Sequence, residues 1–459
     1  MFDLSDYKNK HVHFIGIGGC SMSGLAQILK INGYNVTGSD QKTSAFTQAL
    51  VNSGIPTTIG HDEKNVKDAD LVIYTPAIKP SNPEYAYAQR NDIKMIERSR
   101  LLGMISQEYN RVACIAGCHG KTTITSMLAL IMQQAEIDST IHVGGMVDFL
   151  GGGVKLGNSD IFITEACEYV KSFLTLSPKY ILINNIDDDH LDFYKDINEI
   201  CETFVEFEKK LPSDGKLILN IADPLTAQLK SSSPCKTITF GTDTADWYLS
   251  NIEFDKMGNG SADVNKHKKT IGKIKLNVPG EHNLMNALAA TLYAYEIFDV
   301  PIETSAQALE KYKLAGRRFE LIGERDGVKI FHDYAHHPSE ISACLSAANL
   351  YPHKKLWVVF QCNSYTRARS LKEKYGKSFG CADEVLVPDI YPGRDTVCDG
   401  IHATDLVAEI NKNTANAKYL PTFENIKEYL IKNWSEGDVV ITLGSGDINK
   451  QQLIFLKYD

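Results

Sequence analysis

The sequence predicts an α/β protein with three domains in series, each built around a sheet of mainly parallel strands. Short apolar β-like runs alternate with helix-periodic segments along most of the chain, which is typical of doubly wound parallel sheets. The 459 residues are too many for one hydrophobic core, so several domains are expected. Between residues 236 and 277 the pattern changes to short alternating segments with turn residues, which predicts antiparallel strands beside the central sheet.

The overall charge is acidic, with 48 Lys and Arg residues against 57 Asp and Glu residues and a net charge of −9. This balance disfavours a nucleic-acid partner. No apolar run approaches the ~20 residues that a membrane helix needs, and residues 1–10 lack the apolar core of a signal peptide. The ten cysteines are scattered without a C-x-x-C pair, as expected for free thiols in a reducing compartment. We therefore expect a cytoplasmic protein that binds neither nucleic acid nor membrane.

The first block opens with a glycine-rich turn between a strand and a helix. The predicted elements of this block are strands at 11–17, 35–38 and 71–75 and a helix at 22–31. The turn, Gly16 to Gly24, resembles G-x-G-x-x-G with Ser21 in the last position, and Asp40 follows about 20 residues on. A nucleotide diphosphate would rest on the helix N-terminus with Asp40 near its ribose or base, although a ligand-free turn is the alternative. The residues expected to contact this nucleotide substrate are Gly16, Gly18, Gly19, Ser21, Met22, Asp40 and Thr75.

A second glycine-rich turn gives the strongest signal in the chain. Gly117-Cys-His-Gly-Lys-Thr-Thr123 follows an apolar β-like run at 111–116 and opens a helix-periodic segment at 124–135. In this geometry, backbone N–H groups bind polyphosphate, Lys121 reaches the β- and γ-phosphates and the Thr122 hydroxyl binds Mg²⁺. An isoleucine replaces the first glycine of G-x-x-x-x-G-K-[ST], so an ordinary strand–helix turn is the alternative, but the context favours an ATP-using enzyme. The residues expected to bind ATP here are Gly117, Cys118, Gly120, Lys121, Thr122 and Thr123.

Acidic residues follow two further strands of the central block. Glu165 stands at the end of the strand at 160–164, where a carboxylate beside a phosphate loop would hold Mg²⁺ together with Thr122. The strand at 181–184 runs into an acidic turn that contains His190, a candidate ligand for a second cation, a water or a phosphate. A solvated acidic loop and a structural histidine are the alternatives.

Candidate ligand contacts continue into the C-terminal third. A long helix is predicted at 283–298, and Asn283 or Asn286 would read an adenine edge unless Asn283 only caps the helix. Arg317 and Arg318 could clamp a transferring phosphate, whereas a solvated face is the plain alternative. The predicted elements of the third block are a hairpin across 324–327 and strands at 356–361, 384–387 and 439–443. The motifs that follow its strands are His332–Pro338, Tyr365–Arg367 and Gly444–Asp447.

Taken together and in order, these motifs resemble the Mur ligase family, and most of all its alanine-adding members. The motifs that carry the resemblance are Gly16–Gly24, Gly117–Thr123, the Glu165 segment, Asn185–Asp192, Pro279–Ala287, Gly316–Phe319, Asp333–Pro338 and Gly444–Asp447. The resemblance covers nearly the whole chain. It implies a Rossmann-like UDP-substrate domain at 1–108, a central P-loop ATPase domain with a mixed sheet at 109–314, and a C-terminal Rossmann-like domain at 315–459 that recruits the amino acid.

The resemblance also implies a reaction. ATP would activate the carboxylate of UDP-N-acetylmuramate as an acyl phosphate, and L-alanine would displace the phosphate. The expected cofactors are ATP and Mg²⁺, and the expected small-molecule partners of this monomer or homodimer are UDP-N-acetylmuramate, ATP and L-alanine. The implied catalytic residues are Lys121, His119, Arg317, Arg318 and His190, of which His119 would also face the muramyl carboxylate. The implied metal ligands are Thr122, Glu165 and His190; the further ATP contacts are His282, Asn283, Asn286 and Asp333; and the amino-acid contacts are Tyr334, Asn363 and Arg367.

The chain departs from the family pattern in three places. Relatives carry Phe-Gln-Pro-His where this chain has Phe360-Gln-Cys-Asn363, within the expected amino-acid pocket. Cys118 replaces the usual threonine of the phosphate loop, and Ser21 replaces a glycine or alanine. A ligase for another amine, such as a recycled tripeptide or the substrate of a specialised paralogue, is therefore an alternative function. A non-catalytic nucleotide-sugar-binding relative is another.

Overall fold

The computed structural model describes residues 3–229, 235–314, 316–393, 395, 400–414 and 416–457. Contacts divide the chain into two compact units. The first unit comprises Met1–Ile186, Ile200–Phe240 and Tyr293–Val300, and the second comprises Asp187–Glu199, Gly241–Leu292 and Pro301–Asp459. The domain boundaries expected from the sequence stay a prediction. No helix within the described ranges is both long and apolar enough to span a membrane.

The first unit begins with a five-stranded parallel sheet of order β3-β2-β1-β4-β5. Its strands are β1 (His11–Ile15), β2 (Asn35–Asp40), β3 (Thr57–Ile59), β4 (Leu71–Tyr74) and β5 (Lys94–Glu97), and its helices are α1 (Cys20–Ile31), α2 (Ala45–Asn52), α3 (Pro83–Arg90) and α4 (Arg98–Ser106). The first strand is two residues shorter than predicted because the backbone turns at Gly16. The strands point their C-terminal ends to one edge, where the glycine-rich turn lies.

A second sheet of the first unit has the order β12-β11-β10-β6-β9-β7-β8. Its strands are β6 (Arg111–Ala116), β7 (Thr140–Val147), β8 (Gly152–Lys155), β9 (Ile161–Ala166), β10 (Tyr180–Ile183), β11 (Lys216–Asn220) and β12 (Lys236–Gly241), with helices α5 (Lys121–Gln134), α6 (Ile197–Glu208) and α7 (Pro224–Gln228). The sheet is mixed, because β8 pairs antiparallel with β7 while the other described pairs are parallel. The prediction of antiparallel strands from residue 236 onwards is wrong for β12, which pairs parallel with β11 because a helical crossover connects the two.

The remainder of that predicted antiparallel region lies in the second unit and forms a meander. Its strands are β13 (Trp247–Phe254), β14 (Asn259–Lys266) and β15 (Lys269–Pro279), which pair antiparallel in sequence order and are followed by α8 (Glu281–Phe298) and α9 (Ile302–Glu310). The turn between β14 and β15 is His267-Lys268, and both residues have positive φ, as two-residue hairpins require.

The last sheet has the order β16-β17-β21-β18-β19-β20. Its strands are β16 (Glu320–Arg325), β17 (Val328–Asp333), β18 (Leu356–Phe360), β19 (Glu384–Val387), β20 (Ala417–Tyr419) and β21 (Val439–Leu443). Its helices are α10 (Pro338–Leu350), α11 (Tyr365–Ser370), α12 (Lys372–Gly376), α13 (Ala403–Asn411), α14 (Phe423–Asn433) and α15 (Ile448–Gln451). The predicted hairpin forms between β16 and β17, and the other pairs are parallel. Alternate residues of β18 pack into two different cores, so both faces of the sheet are covered.

Candidate active site

The glycine-rich turn after β1 leaves the N-terminus of α1 open. Gly19 precedes α1, and no side chain caps the helix. The Gly18 N–H donates to Asp40 Oδ2 at 2.9 Å, which ties the turn to the end of β2. Uncapped N–H groups at a helix N-terminus favour an anion such as a diphosphate. The Met22 side chain is buried, so only its backbone can face a ligand.

Ser21, a departure from the family pattern, lies in a chain of hydrogen bonds that reaches the central sheet. Arg98 Nη1 donates to Ser21 Oγ at 3.1 Å, and Ser21 Oγ lies 3.1 Å from His142 Nε2 on β7. His142 Nδ1 lies 3.2 Å from Thr164 Oγ1 on β9, and this hydroxyl donates to the Glu165 carbonyl. Each donor has an acceptor when His142 is neutral with its proton on Nδ1. The turn is thereby linked to the strand that carries Glu165.

The protonation of His142 gives a pH-dependent prediction. Burial and the Arg98 charge lower the pKa of His142 from 6.5 to about 4. As the pH falls, the unfolded chain therefore protonates at this histidine at a higher pH than the folded protein does. The contribution of the neutral imidazole to the free energy of unfolding is complete above pH ~6.5. This contribution, about 3 kcal/mol, is lost as the pH falls to ~4. The melting temperature should fall across this window.

The variant His142→Gln cannot titrate at this position, so its melting temperature should fall less steeply between pH 6.5 and 4. Burial also lowers the pKa values of His332 and His336. These residues contribute equally to the slope of melting temperature against pH in wild type and variant. Thermal unfolding at closely spaced pH values measures the difference. The same slope in wild type and variant would contradict the role of His142.

The phosphate loop between β6 and α5 is shaped by Asn185. The Cys118 N–H donates to the Asn185 carbonyl at 3.1 Å, and the His119 N–H donates to Asn185 Oδ1 at 2.7 Å. Gly117 has φ of 130°, and a Cβ there would stand 3.0 Å from the Asn185 nitrogen, so only glycine fits. Gly120 precedes α5 without a side-chain cap. The first N–H groups of α5 are thus presented to the loop, as a polyphosphate site requires.

Thr122 and Glu165 form the part of the loop that fits Mg²⁺. Thr122 Oγ1 donates to Glu165 Oε2 at 3.2 Å, and the other carboxylate oxygen accepts from the Gly144 N–H at 2.6 Å. A Cβ on Gly144 would lie 2.5 Å from the carboxylate, so a glycine is needed for this approach. A hydroxyl and a carboxylate oriented together are oxygen ligands of the kind that Mg²⁺ prefers. These two residues would hold the metal.

Lys121 lies in the same loop, and its ammonium is 2.9 Å from Glu168 Oε2. The sequence singled out Lys121 but not Glu168, although Glu168 is only three residues beyond Glu165. The other residues that sequence reasoning missed in this unit are Arg98, His142, Gly144 and the loop-shaping role of Asn185. Of these, only Asn185 belongs to one of the motifs that carry the family resemblance.

In the second unit, Arg367 on α11 anchors the expected amino-acid pocket. Arg367 Nη2 donates to Asp189 Oδ1 at 2.9 Å, and Nη1 donates to Asn363 Oδ1 at 2.7 Å. Asn363 donates in turn to the Ser445 hydroxyl. Asp189 is 5% exposed; burial raises its pKa, but the His190 and Arg367 charges outweigh that effect and hold the pKa well below its usual range. Asn363 and Asp189 therefore fix the guanidinium from two sides.

The acidic turn around His190 is not a solvated loop. Asp187 accepts from the Ser339 hydroxyl at 2.5 Å and lies 3.3 Å from His337 Nδ1. Asp188 pairs with Lys374. His190 itself has φ of 58° and a partly exposed ring. The turn is therefore held by residues of the last sheet and its helices.

Arg318 and Tyr334 lie together near the start of the last sheet. The Arg318 guanidinium lies 5.6 Å from the centre of the Tyr334 ring and 3.8 Å from Glu340 Oε1. Arg317 is exposed, and its backbone N–H donates to Glu320 at 2.8 Å. Of the two arginines, Arg318 is thus the one whose side chain the fold orients.

Asp333 has a structural partner at each carboxylate oxygen. Oδ2 accepts from the Phe319 N–H at 2.8 Å and Oδ1 from the Ala335 N–H at 2.7 Å. Burial raises the pKa of Asp333. The carboxylate therefore orders the segment that carries Arg317 and Arg318, and its predicted contact with ATP stays a prediction.

The start of α8 differs from the prediction. The helix begins at Glu281, so Asn283 is inside its first turn and does not cap it; its side chain donates to the Pro279 carbonyl at 2.7 Å. Asn286 is 6% exposed one turn on. His282 lines an open cavity of about 480 Å³ between α8 and α10. The predicted adenine contacts are therefore clustered on the first two turns of one helix.

The structure brings the predicted site residues together in four groups, two in each unit. In the first unit are the turn residues Gly16, Gly18, Gly19, Ser21, Met22, Asp40 and Thr75, and the loop residues Gly117, Cys118, His119, Gly120, Lys121, Thr122, Thr123 and Glu165. In the second unit are His190, Asn363 and Arg367, and then His282, Asn283, Asn286, Arg317, Arg318, Asp333 and Tyr334 around α8 and the start of the last sheet. The individual roles of these residues stay predictions.

The phosphate loop carries a hydroxyl and a carboxylate that fit Mg²⁺, and the glycine-rich turn is open. These two features define the class of the protein as a nucleotide-binding α/β protein. Three family models match successive segments: "Mur ligase family, catalytic domain" at 11–110, "Mur ligase middle domain" at 115–294 and "Mur ligase, glutamate ligase domain" at 317–446. The chain belongs to the Mur ligase family. The predicted family and the three-domain α/β fold class are confirmed.

Relatives and solved structures are similar over nearly the full length. The chain is 44% identical to the UDP-N-acetylmuramate–L-alanine ligase of Acetivibrio thermocellus, over 99% of this chain and 97% of that protein. It is 43% identical to the ligase of the same name from Alkaliphilus metalliredigens, over 97% of each chain. The crystal structure of the UDP-N-acetylmuramate–alanine ligase of Thermotoga maritima superposes with a TM-score of 0.80 at 27% identity, covering 97% of this chain and 98% of that one.

Proposed function

We propose that this protein is an ATP-dependent ligase that joins L-alanine to the carboxylate of UDP-N-acetylmuramate, a step in peptidoglycan precursor synthesis. The observation that carries the proposal is the identity of 44% over 99% of the chain to a ligase of that name. The phosphate loop, the Thr122–Glu165 pair and the Arg367 guanidinium support it, because each supplies a group that the chemistry needs.

The phosphate-loop residues fit the first step of such a reaction. A carboxylate oxygen of the sugar attacks the γ-phosphorus of ATP, the bond to ADP breaks, and an acyl phosphate forms. Lys121 and the N–H groups of α5 would stabilise the charge on the phosphate oxygens. Thr122 and Glu165 would hold Mg²⁺, which supplies Lewis-acid stabilisation of the same oxygens. Arg318 is the arginine that we propose for the γ-phosphate.

The residues around Arg367 fit the second step. The amine of L-alanine attacks the acyl carbon, the carbon–oxygen bond to phosphate breaks, and the amine loses a proton as the amide forms. The Arg367 guanidinium would bind the α-carboxylate of the amino acid in the forked geometry that arginine offers. Asn363 and Tyr334 would border the same substrate. His190 is proposed as a ligand of a second cation.

The proposal predicts a defined substrate preference. Phosphate release from ATP with Mg²⁺ and UDP-N-acetylmuramate should be fastest with L-alanine among L-alanine, glycine, L-serine and L-alanyl-γ-D-glutamyl-meso-diaminopimelate. Mass spectrometry should show a product heavier by one alanyl residue. Release with the tripeptide alone would overturn the amine assignment, and no release with any amine despite UDP-N-acetylmuramate binding would favour a non-catalytic relative.

A ligase for the recycled tripeptide is the second candidate, because the chain departs from the family pattern in the region proposed to bind the amine. Asn363 stands where the family pattern has histidine, and its amide bridges Arg367 and Ser445. A structure of the Neisseria ligase for UDP-N-acetylmuramate and this tripeptide superposes with a TM-score of 0.61 at 29% identity, covering 67% of this chain and 99% of that one. The amine panel separates the two candidates.

We further propose a cytoplasmic location and a monomer or homodimer without nucleic-acid or membrane partners. The scattered cysteines and the net charge of −9 support this.

A further inference from the structure

The Lys121 side chain is folded back onto protein oxygens. Its ammonium lies 2.9 Å from Glu168 Oε2 and 3.1 Å from the Cys118 carbonyl, and it also contacts the Gly117 carbonyl. An ammonium has three N–H donors. The carboxylate and the two carbonyls therefore occupy the donors that phosphate oxygens would take.

The pair between Lys121 and Glu168 is buried. The Lys121 side chain is 13% exposed and the Glu168 side chain 1%. Burial by itself lowers the pKa of Lys121, but the negative charges around it, of which Glu168 is the largest, outweigh burial and raise the pKa. The lysine is thus paired with Glu168 when the loop holds no phosphate. Removing one partner of such a buried pair is costly, because the other charge is left uncompensated.

Glu168 and Glu165 act on different parts of the loop although three residues separate them. The Glu165 carboxylate accepts from the Thr122 hydroxyl and the Gly144 N–H, which places it beside the hydroxyl proposed to bind the metal. The Glu168 carboxylate contacts the ammonium with both of its oxygens, at 2.9 and 3.3 Å. Glu168 is therefore a partner of the lysine, whereas Glu165 is the proposed partner of the metal.

We propose that Glu168 is a positioning residue that competes with the β- and γ-phosphates of ATP for the Lys121 ammonium. The inference rests on the proposed function, because it takes the loop as the ATP site. ATP binding exchanges the carboxylate for phosphate oxygens, and the carboxylate recaptures the lysine as the products leave. Glu168 thereby weakens nucleotide binding and speeds ADP release. No covalent step is involved.

The variant Glu168→Gln tests the competition because it keeps the shape and removes the charge. Calorimetry with ADP and Mg²⁺ should show a dissociation constant about 3- to 10-fold lower than that of the wild type, consistent with the loss of one charge-assisted contact. The matched control is Glu136→Gln, which removes an exposed charge just beyond the other end of α5 and should leave the dissociation constant within about twofold of the wild type.

A second readout reports on the empty protein. Without nucleotide, Lys121 of Glu168→Gln should react faster than wild-type Lys121 with an amine-acylating reagent, as mapped by peptide mass spectrometry, because the side chain is no longer held against the carboxylate and meets the reagent more often. Glu168→Asp keeps the charge on a side chain one methylene shorter and should be intermediate in both readouts. It also keeps the test valid should the glutamine variant not fold.

The outcomes are distinct. Tighter ADP binding together with faster Lys121 acylation supports the competition. Unchanged or weaker ADP binding by folded variants overturns it, while the wild-type affinity for ADP leaves the proposed function intact. A wild type that binds no ADP overturns the proposed function and the inference with it.

Discussion

Replacing Lys121 with alanine is expected to lower phosphate release by at least about 10³-fold while leaving the affinity for UDP-N-acetylmuramate within about twofold of wild type. The ammonium lies within the phosphate loop, 3.1 Å from the Cys118 carbonyl, and is the charged group that we expect to meet the phosphate oxygens. The glycine-rich turn proposed for the nucleotide sugar belongs to a different sheet, so we expect binding of that substrate not to depend on this side chain. Phosphate release and calorimetric titration with UDP-N-acetylmuramate measure the two effects separately.

Two controls make this result specific. Lys30→Ala removes an exposed lysine from α1 and should keep wild-type turnover. Lys121→Ala also takes the ammonium away from the buried Glu168 carboxylate, so a loss of fold could imitate a loss of chemistry. The double variant Lys121→Ala/Glu168→Gln removes that charge and should melt at a higher temperature than Lys121→Ala yet stay inactive. Wild-type turnover in either Lys121 variant would contradict the assignment of the ATP site.

The second large effect is expected at Arg367. Changing Arg367 to alanine should raise the KM for L-alanine by at least about 100-fold with little change in the KM for ATP, because the guanidinium is the proposed partner of the amino-acid carboxylate. It should also destabilise the fold by about 3 kcal/mol, since the buried Asp189 carboxylate loses its guanidinium. Steady-state kinetics and thermal unfolding give the two values.

Arg369→Ala is the matched control, because Arg369 lies on the same helix and is exposed. It should keep both the KM and the melting temperature. Arg367→Lys retains the charge without the forked geometry, so it should restore stability more than it restores the KM for L-alanine. Equal KM values for L-alanine in wild type and Arg367→Ala would place the amino-acid site elsewhere.

The sequence predicted the strands best where apolar runs end sharply. The bounds of β6, β19 and β21 match the predicted ranges, because each is a short, largely buried run of apolar residues. The strand β12 was assigned the wrong direction of pairing, since direction depends on the connection to β11 and not on the residues of β12. Alternating polarity predicts a strand but does not say which neighbour it joins.

Site residues were predictable where a local motif carries the chemistry, as in the phosphate loop and in Glu165. Contacts between distant parts of the chain left no such signal. Ser21 and His142 are 121 residues apart, and neither residue alone indicates a hydrogen bond to the other. Glu168 was missed for a different reason: an acidic residue after a strand is common, and only its burial against Lys121 sets it apart.

The hydrogen bond between Ser21 and His142 constrains how this lineage can evolve. The serine hydroxyl donates the hydrogen bond that the imidazole Nε2 accepts, and the His142 side chain is buried, at 3% exposed. A change of Ser21 to the glycine or alanine usual in the family would leave the buried Nε2 without this donor. A change of His142 to an apolar residue would leave the hydroxyl proton without this acceptor, although Arg98 would still donate to the oxygen. Each substitution is unfavourable in the absence of the other, so the two positions are epistatic. We therefore expect the serine and the histidine to be inherited as a pair.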